Sequence, residues 1–121
     1  MTRPAAITLL VSAALAAPGV ASAAGPSIHV HPHRVHAGAR VHVFGSAGGC
    51  PHGDRVTLLS RAFRHRHEFA GVPAVFATVR ADGSYSVRPR IPARRAPRRY
   101  TISGRCGGGN LGVQNFVRVL R

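Results

Sequence analysis

Apolar and polar residues alternate along most of the chain after residue 24. The alternation is clear in "SIHVH", "ARVHVFG" and "RVTLLS", and again in "AVFATVR", "SYSVR", "YTISGRC" and residues 116–120. A period of two is typical of β-strands that bury one face. Gly, Pro and Asp separate the stretches, and no stretch has helical spacing. The pattern predicts seven short strands.

Seven strands in about 95 residues, with turn residues at regular intervals, predict an all-β fold of the antiparallel β-sandwich type. Asp82-Gly83 in "ADGS" predicts a tight hairpin between the fourth and fifth strands. We expect a crossing loop at "IPARRAPRR" and a glycine-rich loop at "GGGNLG". Two registers stay open for the first two strands, with Val30 opposite either Val41 or Val43.

Residues 1–23 are predicted to be a secretory signal peptide. Arg3 gives a positive start, "AAITLLVSAALAA" is an apolar run, and Ala21-Ser22-Ala23 fits the cleavage pattern. The run is short for a membrane span and no later stretch approaches that length, so no transmembrane segment is expected. We predict a secreted, extracellular protein with one domain, residues 24–121. The oligomeric state is not determined by the sequence.

Two cysteines, Cys50 and Cys106, lie in the predicted mature chain. In an exported protein, which meets an oxidising environment, such a pair is expected to form a disulfide. Cys106 falls on the inward phase of the sixth strand, and Cys50 follows the second strand. Free thiols or metal ligands are the alternative interpretation.

Charge sets this composition apart. All 17 basic residues are arginine, against three acidic residues, which gives a net charge of +14 with neutral histidines. Without Arg3 the mature chain has 16 arginines and a net charge of +13. Such a charge attracts nucleic acids, anionic envelope polymers and acidic lipid surfaces. A GC-rich coding bias explains arginine in place of lysine, but it does not explain the scarcity of acids.

Arginine is concentrated in "RAFRHRHEF", with Phe63 and Phe69 interleaved, and in "RPRIPARRAPRR". The candidate polyanion-binding residues are Arg64, Arg66, Arg88, Arg90, Arg94, Arg95, Arg98 and Arg99. Guanidinium groups bind phosphate bidentately, and an extended loop presents several at once. The expected partners are teichoic-type envelope polymers, lipid headgroups or nucleic acid bound without base readout. A solvated surface that keeps the protein soluble is the alternative.

The stretch "HVHPHRVH" places four histidines in eight residues. His29, His31 and His42 are expected on one outward face in either register, with His33 beyond Pro32. Imidazole ligands make Zn²⁺ or Cu²⁺ the candidate metals. The absence of a nearby carboxylate and the flanking Arg34 and Arg40 argue against a dedicated site. We also expect the neighbouring positive charges to resist protonation of these histidines.

Catalysis is not expected. Asp54 and Asp82 lie in predicted turns and Glu68 stands alone, whereas hydrolytic triads and carboxylate pairs both need placed acids. "GGGN" lacks the lysine and the strand–helix context of a phosphate-binding loop. No cofactor is predicted apart from the alternative metal ion.

Three segments together resemble a known family: "HPHRVHAGARVHVFGSAGGC", "TVRADGSYSVRPRIP" and "RRYTISGRC". They resemble the secreted immunoglobulin-like modules of actinobacteria, which implies an immunoglobulin-like β-sandwich and little about function. More distantly, the chain resembles the neocarzinostatin-type apoproteins, which hold an apolar chromophore in a cleft. The second, short-loop disulfide of that family has no counterpart here.

Three functions follow as hypotheses. The first is a non-enzymatic binding or structural module at the cell envelope, which contacts anionic polymers through its arginines. The second is an extracellular metal-binding protein that uses His29, His31, His33 and His42. The third is a carrier of a small apolar ligand, which needs an apolar cleft.

Overall fold

The computed structural model describes residues 25–121, so the predicted signal peptide lies outside the described residues. This part of the chain is all-β, as predicted. The strands are β1 His29–His31, β2 Arg34–His36, β3 His42–Ser46, β4 Arg55–Leu59, β5 His67–Phe69, β6 Val72–Thr78, β7 Ser84–Val87, β8 Arg99–Cys106 and β9 Gly109–Leu120. None of the described residues forms a helix long and apolar enough to cross a membrane.

The strands form two sheets. One has three strands in the order β1-β3-β7, and the other has six in the order β2-β9-β8-β4-β6-β5. Apolar residues from both sheets join one buried cluster, which includes Val43 and Tyr85 from the first and Leu58, Ile102 and Val117 from the second. The alternation in the sequence thus marks the faces that the two sheets bury.

Residues 25–121 form nine strands, whereas the alternation predicts seven. The first additional strand is β2, because "HVHPHRVH" is divided between the two sheets at a cis His31–Pro32 peptide. β1 pairs with β3, and β2 pairs with β9 in parallel. The other strand pairs described are antiparallel, as predicted, and this parallel pair at the edge of the sheet is an addition to the prediction. Of the two registers left open for β1, the second is confirmed: Val30 pairs with Val43, and His31 with His42.

The second additional strand is β5, which pairs with β6 at the other edge of the six-stranded sheet. Its three residues are all exposed, so no apolar alternation marks it. The glycine-rich loop predicted at "GGGNLG" is also shorter than expected. β9 begins at Gly109, which pairs with Cys106 across a turn in which Gly107 has φ 55°. Backbone pairing with β8 extends the strand through residues that carry little strand signal of their own.

The turn at Asp82-Gly83 exists, but it does not close the predicted hairpin. Gly83 has φ 81°, and the Asp82 carboxylate accepts a hydrogen bond from the Ser84 backbone amide at 3.0 Å. The strands on either side belong to different sheets, since β6 lies in the six-stranded sheet and β7 in the three-stranded one. The turn therefore carries the chain across the sandwich.

The predicted disulfide is confirmed. Cys50 and Cys106 are bonded, with their Cα atoms 5.9 Å apart and a sequence separation of 56. The bridge ties the loop between β3 and β4 to the end of β8. It closes one end of the sandwich, and the start of β8 lies at the other end.

Candidate anion-binding surface

The two arginine-rich stretches, separated in sequence, meet in the fold. We call residues 60–66 the first basic loop and residues 88–98 the second basic loop. The Arg95 guanidinium donates a hydrogen bond to the Phe63 carbonyl at 2.9 Å, which joins the two loops directly. Their arginines line shared hollows, so the fold makes one surface from two segments.

The first basic loop is fixed to the core from inside. Ala62 and Phe63 are fully buried. The Ser60 hydroxyl accepts from the Ala62 amide at 3.1 Å, and the Ser60 carbonyl accepts from the Phe63 amide at 3.1 Å. Phe63, which is interleaved with the arginines in the sequence, therefore has its ring in the core. Arg61, Arg64 and Arg66 remain exposed around this anchor.

The second basic loop is fixed in the same way. Ile91 is fully buried; its amide donates to the Ala39 carbonyl and its carbonyl accepts from the Gly38 amide, both at 2.8 Å. Farther along, the Tyr100 hydroxyl donates to the Ala96 carbonyl at 2.7 Å. Because the loop backbone is held near both ends, the Cα atoms that carry the exposed guanidinium groups have defined positions. Less conformational entropy is then lost when they bind a ligand.

A cavity of about 640 Å³ lies where the two loops face each other. The charged residues that line it are Arg40, Arg64, Arg66, Arg90 and His67, and the other lining residues are Ala74, Val75, Pro89, Pro92 and Ala93. Backbone carbonyl groups hold two of these arginines. The Arg40 guanidinium donates a hydrogen bond to the Arg88 carbonyl at 3.0 Å, and the Arg90 guanidinium donates one to the Gly38 carbonyl at 3.1 Å. A guanidinium has five N–H donors, so most donors in this cavity are left for a ligand.

A second hollow of about 470 Å³ lies beside the first and is lined by Arg61, His65, Arg94, Arg95, Arg98 and other residues. It contains three of the predicted polyanion-binding arginines. The remaining two lie outside both hollows. Arg88 is exposed and its charge acts on His42, whereas Arg99 lies in β8 with its guanidinium 3.9 Å from the centre of the Phe116 ring.

The arginines of this surface have no carboxylate partner within residues 25–121. All three acidic residues of the sequence lie in the described part, and the ion pair found within residues 25–121 is His65–Glu68, at 2.6 Å. Asp82 is engaged with Ser84, whose hydrogen bonds lower the pKa of the Asp82 carboxyl. No arginine of residues 25–121 has a carboxylate oxygen within 4.0 Å. Within the described chain, the arginines of the two loops therefore keep their positive charge unpaired, and Glu68 pairs with His65 instead.

Three of the four predicted histidine ligands lie on the three-stranded sheet, and His33 lies between β1 and β2. His31 and His42 pair across β1 and β3. Phe44 intervenes on the same face, with ring centres 5.3 Å from His29 and 4.5 Å from His42. His33 turns to β9, where its Nδ1 donates to the Phe116 carbonyl at 3.1 Å.

These histidines do not converge as a metal site would require. Within residues 25–121, the group of three or more potential ligands whose donor atoms all lie within 4.8 Å of one another is Cys50, Asp54 and Cys106. Both sulfur atoms of that group are in the disulfide, so neither is available as a thiolate.

The surroundings of His42 alter its titration. Partial burial lowers its pKa from the usual value, and the charges of Arg88, Arg80 and His31 lower it further. Its Nε2 lies 2.6 Å from the Ser86 hydroxyl. The expectation that neighbouring charges resist protonation is confirmed for this residue, with burial as the larger cause.

Four residues of the surface were not among the predicted contacts: Arg40, Arg61, His65 and His67. Arg61, His65 and His67 belong to the first arginine-rich stretch, and the basic composition of that stretch was the signal that could have identified them. Arg40 reaches the cavity because it pairs with Arg90 in an isolated antiparallel bridge. Arg90 lies outside the predicted strands, so the sequence pattern contains no sign of this pairing.

Comparison with known proteins gives a fold. No family model matches the chain, and neither does a curated protein. Among solved structures the chain is similar to macromomycin, with 14% sequence identity and a TM-score of 0.53 over 78% of this chain and 99% of macromomycin. At this identity the likeness shows the fold alone. It supports a distant neocarzinostatin-like fold, whereas the resemblance to actinobacterial immunoglobulin-like modules stays a prediction.

Proposed function

We propose that this protein is an exported, non-enzymatic binding module that holds a linear, phosphate-bearing polymer of the cell envelope on its two basic loops. One observation carries the proposal: two arginine-rich loops, far apart in sequence, are joined by the Arg95–Phe63 hydrogen bond into a concave surface, and within residues 25–121 no carboxylate lies within 4.0 Å of its arginines. The disulfide fits an oxidising extracellular compartment.

The shape of the surface favours a polymer over a flat lipid bilayer. The arginines surround hollows of about 640 and 470 Å³ that lie side by side, instead of covering a plane. A flexible chain with regularly spaced phosphates can place a charge in each hollow, whereas the headgroups of a planar membrane cannot follow the concave surface. Guanidinium groups supply bidentate hydrogen bonds to each phosphate.

The test is equilibrium binding of the disulfide-bonded protein to fluorescently labelled teichoic-type polymer across a salt series, at pH 8 and at pH 5.5. The informative variant is Arg64→Ser/Arg66→Ser/Arg94→Ser, because all three side chains are exposed. Arg95 is left intact because it holds the loops together. The matched control, Arg55→Ser/Arg80→Ser/Arg121→Ser, removes the same charge from exposed positions outside both hollows.

We expect binding that weakens steeply with salt, and a loop variant whose logarithmic salt slope is smaller by about three, one for each lost phosphate contact. The control triple should keep most of the slope. Equal losses in both variants would mean that net charge alone attracts the polymer. Binding that disappears at physiological salt in the wild-type protein would reduce the arginines to a solubility feature. Tighter binding to anionic vesicles or to single-stranded DNA than to the polymer would reassign the partner.

The cavity of about 640 Å³ favours a second candidate, a carrier of a small ligand. Five of its lining residues are alanine, valine or proline, which suits an apolar body. Four arginines line the same cavity, so the ligand that fits has an anionic end and is not the wholly apolar molecule expected from the sequence. Mass spectrometry of the protein purified from its native host tests this candidate: a stoichiometric anionic, amphipathic compound would support it.

A further inference from the structure

Three arginines lie side by side across neighbouring strands of the six-stranded sheet. Arg99 of β8 pairs directly with Arg118 of β9, and Arg118 pairs directly with Arg34 of β2. We call these three residues the arginine row. Neither Arg34 nor Arg118 lies in an arginine-rich stretch, so composition does not single them out.

The arginine row faces outward. Its neighbours along the strands point into the core: Tyr100 and Val117 pair with each other, Val35 and Val119 pair with each other, and all four are buried. The three arginines are exposed. Since adjacent strands are about 4.8 Å apart, three positive side chains start within roughly 10 Å of one another.

This arrangement is unfavourable without a counter-charge. Like charges directly opposite each other destabilise a strand pair, and here two such pairs share one residue. Within residues 25–121 no carboxylate lies within 4.0 Å of these arginines. The ring of Phe116 supports the Arg99 guanidinium at 3.9 Å, which orients the group without neutralising it. An anion laid across the row would remove the repulsion.

The row is continuous with the two basic loops. A hollow of about 360 Å³ is lined by Arg99 of the row together with Arg98, Arg61 and Tyr100. The last three also line the hollow of about 470 Å³ between the loops. Positive residues therefore follow one path from the loops, past Arg98 and Arg99, and onto the sheet at Arg118 and Arg34.

We infer that the arginine row is a second phosphate-binding segment, so that a linear polyphosphate or phosphodiester chain runs from the basic loops across β8, β9 and β2. This inference rests on the proposed function, because the loops supply the first segment. It adds a consequence that the loops alone do not have: affinity must depend on ligand length. A short oligoanion occupies one segment, whereas a long chain occupies both at once and gains from the linkage.

The probe is inorganic polyphosphate, as tripolyphosphate and as chains of about 60 phosphates, which can contact both segments. The variant is Arg34→Ser/Arg118→Ser, which leaves Arg99 and both loops intact. Its matched control, Arg55→Ser/Arg80→Ser, removes the same charge from positions outside the row. Arg55 begins β4 at the far end of the sheet, next to Val56, which pairs with Cys106. Arg80 follows the end of β6. Binding is measured by titration calorimetry across a salt series.

We expect Arg34→Ser/Arg118→Ser to bind the long chain about tenfold more weakly, with a logarithmic salt slope lower by about two. Binding of tripolyphosphate should change no more than in the control. A second measurement is independent of ligand length: without anions, Arg118→Ser should unfold at a higher temperature than the wild-type protein, because it relieves both like-charge pairs.

The outcomes separate this inference from the proposed function. If the wild-type protein does not bind the long chain at physiological salt, the proposed function fails and the inference fails with it. If the loop variant Arg64→Ser/Arg66→Ser/Arg94→Ser weakens binding but Arg34→Ser/Arg118→Ser matches its control, the proposed function stands and the inference is overturned. Equal loss for tripolyphosphate and for the long chain would also overturn it.

Discussion

Removal of the Cys50–Cys106 bridge tests how this small sandwich is stabilised. The bond closes a loop of 56 positions. In the chain-entropy model, a loop of this length restricts the unfolded chain by about 4 kcal/mol. A typical domain is stable by roughly 5–15 kcal/mol, so the bridge accounts for a large part of the total. We therefore expect Cys50→Ala/Cys106→Ala to fold, with its unfolding midpoint lowered by roughly 15–30 °C.

The assay is urea unfolding followed by circular dichroism, with reduced and alkylated wild-type protein as the control for the effect of the alanines. If the bridge acts on the unfolded state, the variant must also have a larger m-value, because its unfolded chain is free to expand. A loss of less than about 1 kcal/mol with an unchanged m-value would refute the entropic explanation.

The same variant also separates stability from binding. Cys106 ends β8, and Tyr100, which holds the second basic loop, lies near the start of that strand. The distance along the strand is roughly 20 Å. We expect polyanion affinity to be unchanged at a temperature at which the variant is fully folded.

Three other predictions concern the loop anchors and His42. Phe63→Ala empties a fully buried site and should lower the free energy of unfolding by about 3–5 kcal/mol in urea unfolding, whereas Phe69→Ala, at a ring 43% exposed, should change it little. Tyr100→Phe removes the hydrogen bond to the Ala96 carbonyl, so we expect about 1 kcal/mol lower stability and weaker polymer binding by fluorescence titration. The pKa of His42 is lower in the folded state, so the unfolded state takes up more protons and stability falls as pH decreases through the usual histidine range. Unfolding measured from pH 8 to pH 5.5 should show a smaller fall in His42→Gln, and an identical fall would contradict this assignment.

Hydrophobic alternation was sufficient to predict the longer strands that bury a face. Val41 and Val43, or Tyr100 and Ile102, carry enough apolar surface to fix which side of their strand faces the core. β2 and β5 have three residues each, and β5 buries none of them. Such strands exist because a neighbour offers a backbone to pair with, and that information lies elsewhere in the chain.

The candidate surface was predictable in composition but not in arrangement. The arginine-rich stretches indicate a positively charged surface. Their guanidinium groups are expected to be exposed because burying an unpaired charge costs a large desolvation free energy. The meeting of the two loops depends on Phe63 entering the core and on Arg95 reaching its carbonyl, which are tertiary contacts. The arginine row depends on the register of β2, β8 and β9, and the parallel pairing of β2 is not marked in the sequence.

Both sheets of this protein end in very short strands. β1, β2 and β5 have three residues each and β7 has four, whereas the long strands β8 and β9 lie inside the six-stranded sheet. A second copy that approached an edge would find only a few unpaired backbone groups, beside arginines that repel its own. We therefore expect the protein to resist edge-to-edge aggregation at high concentration, although the regular elements of the described chain are all β-strands.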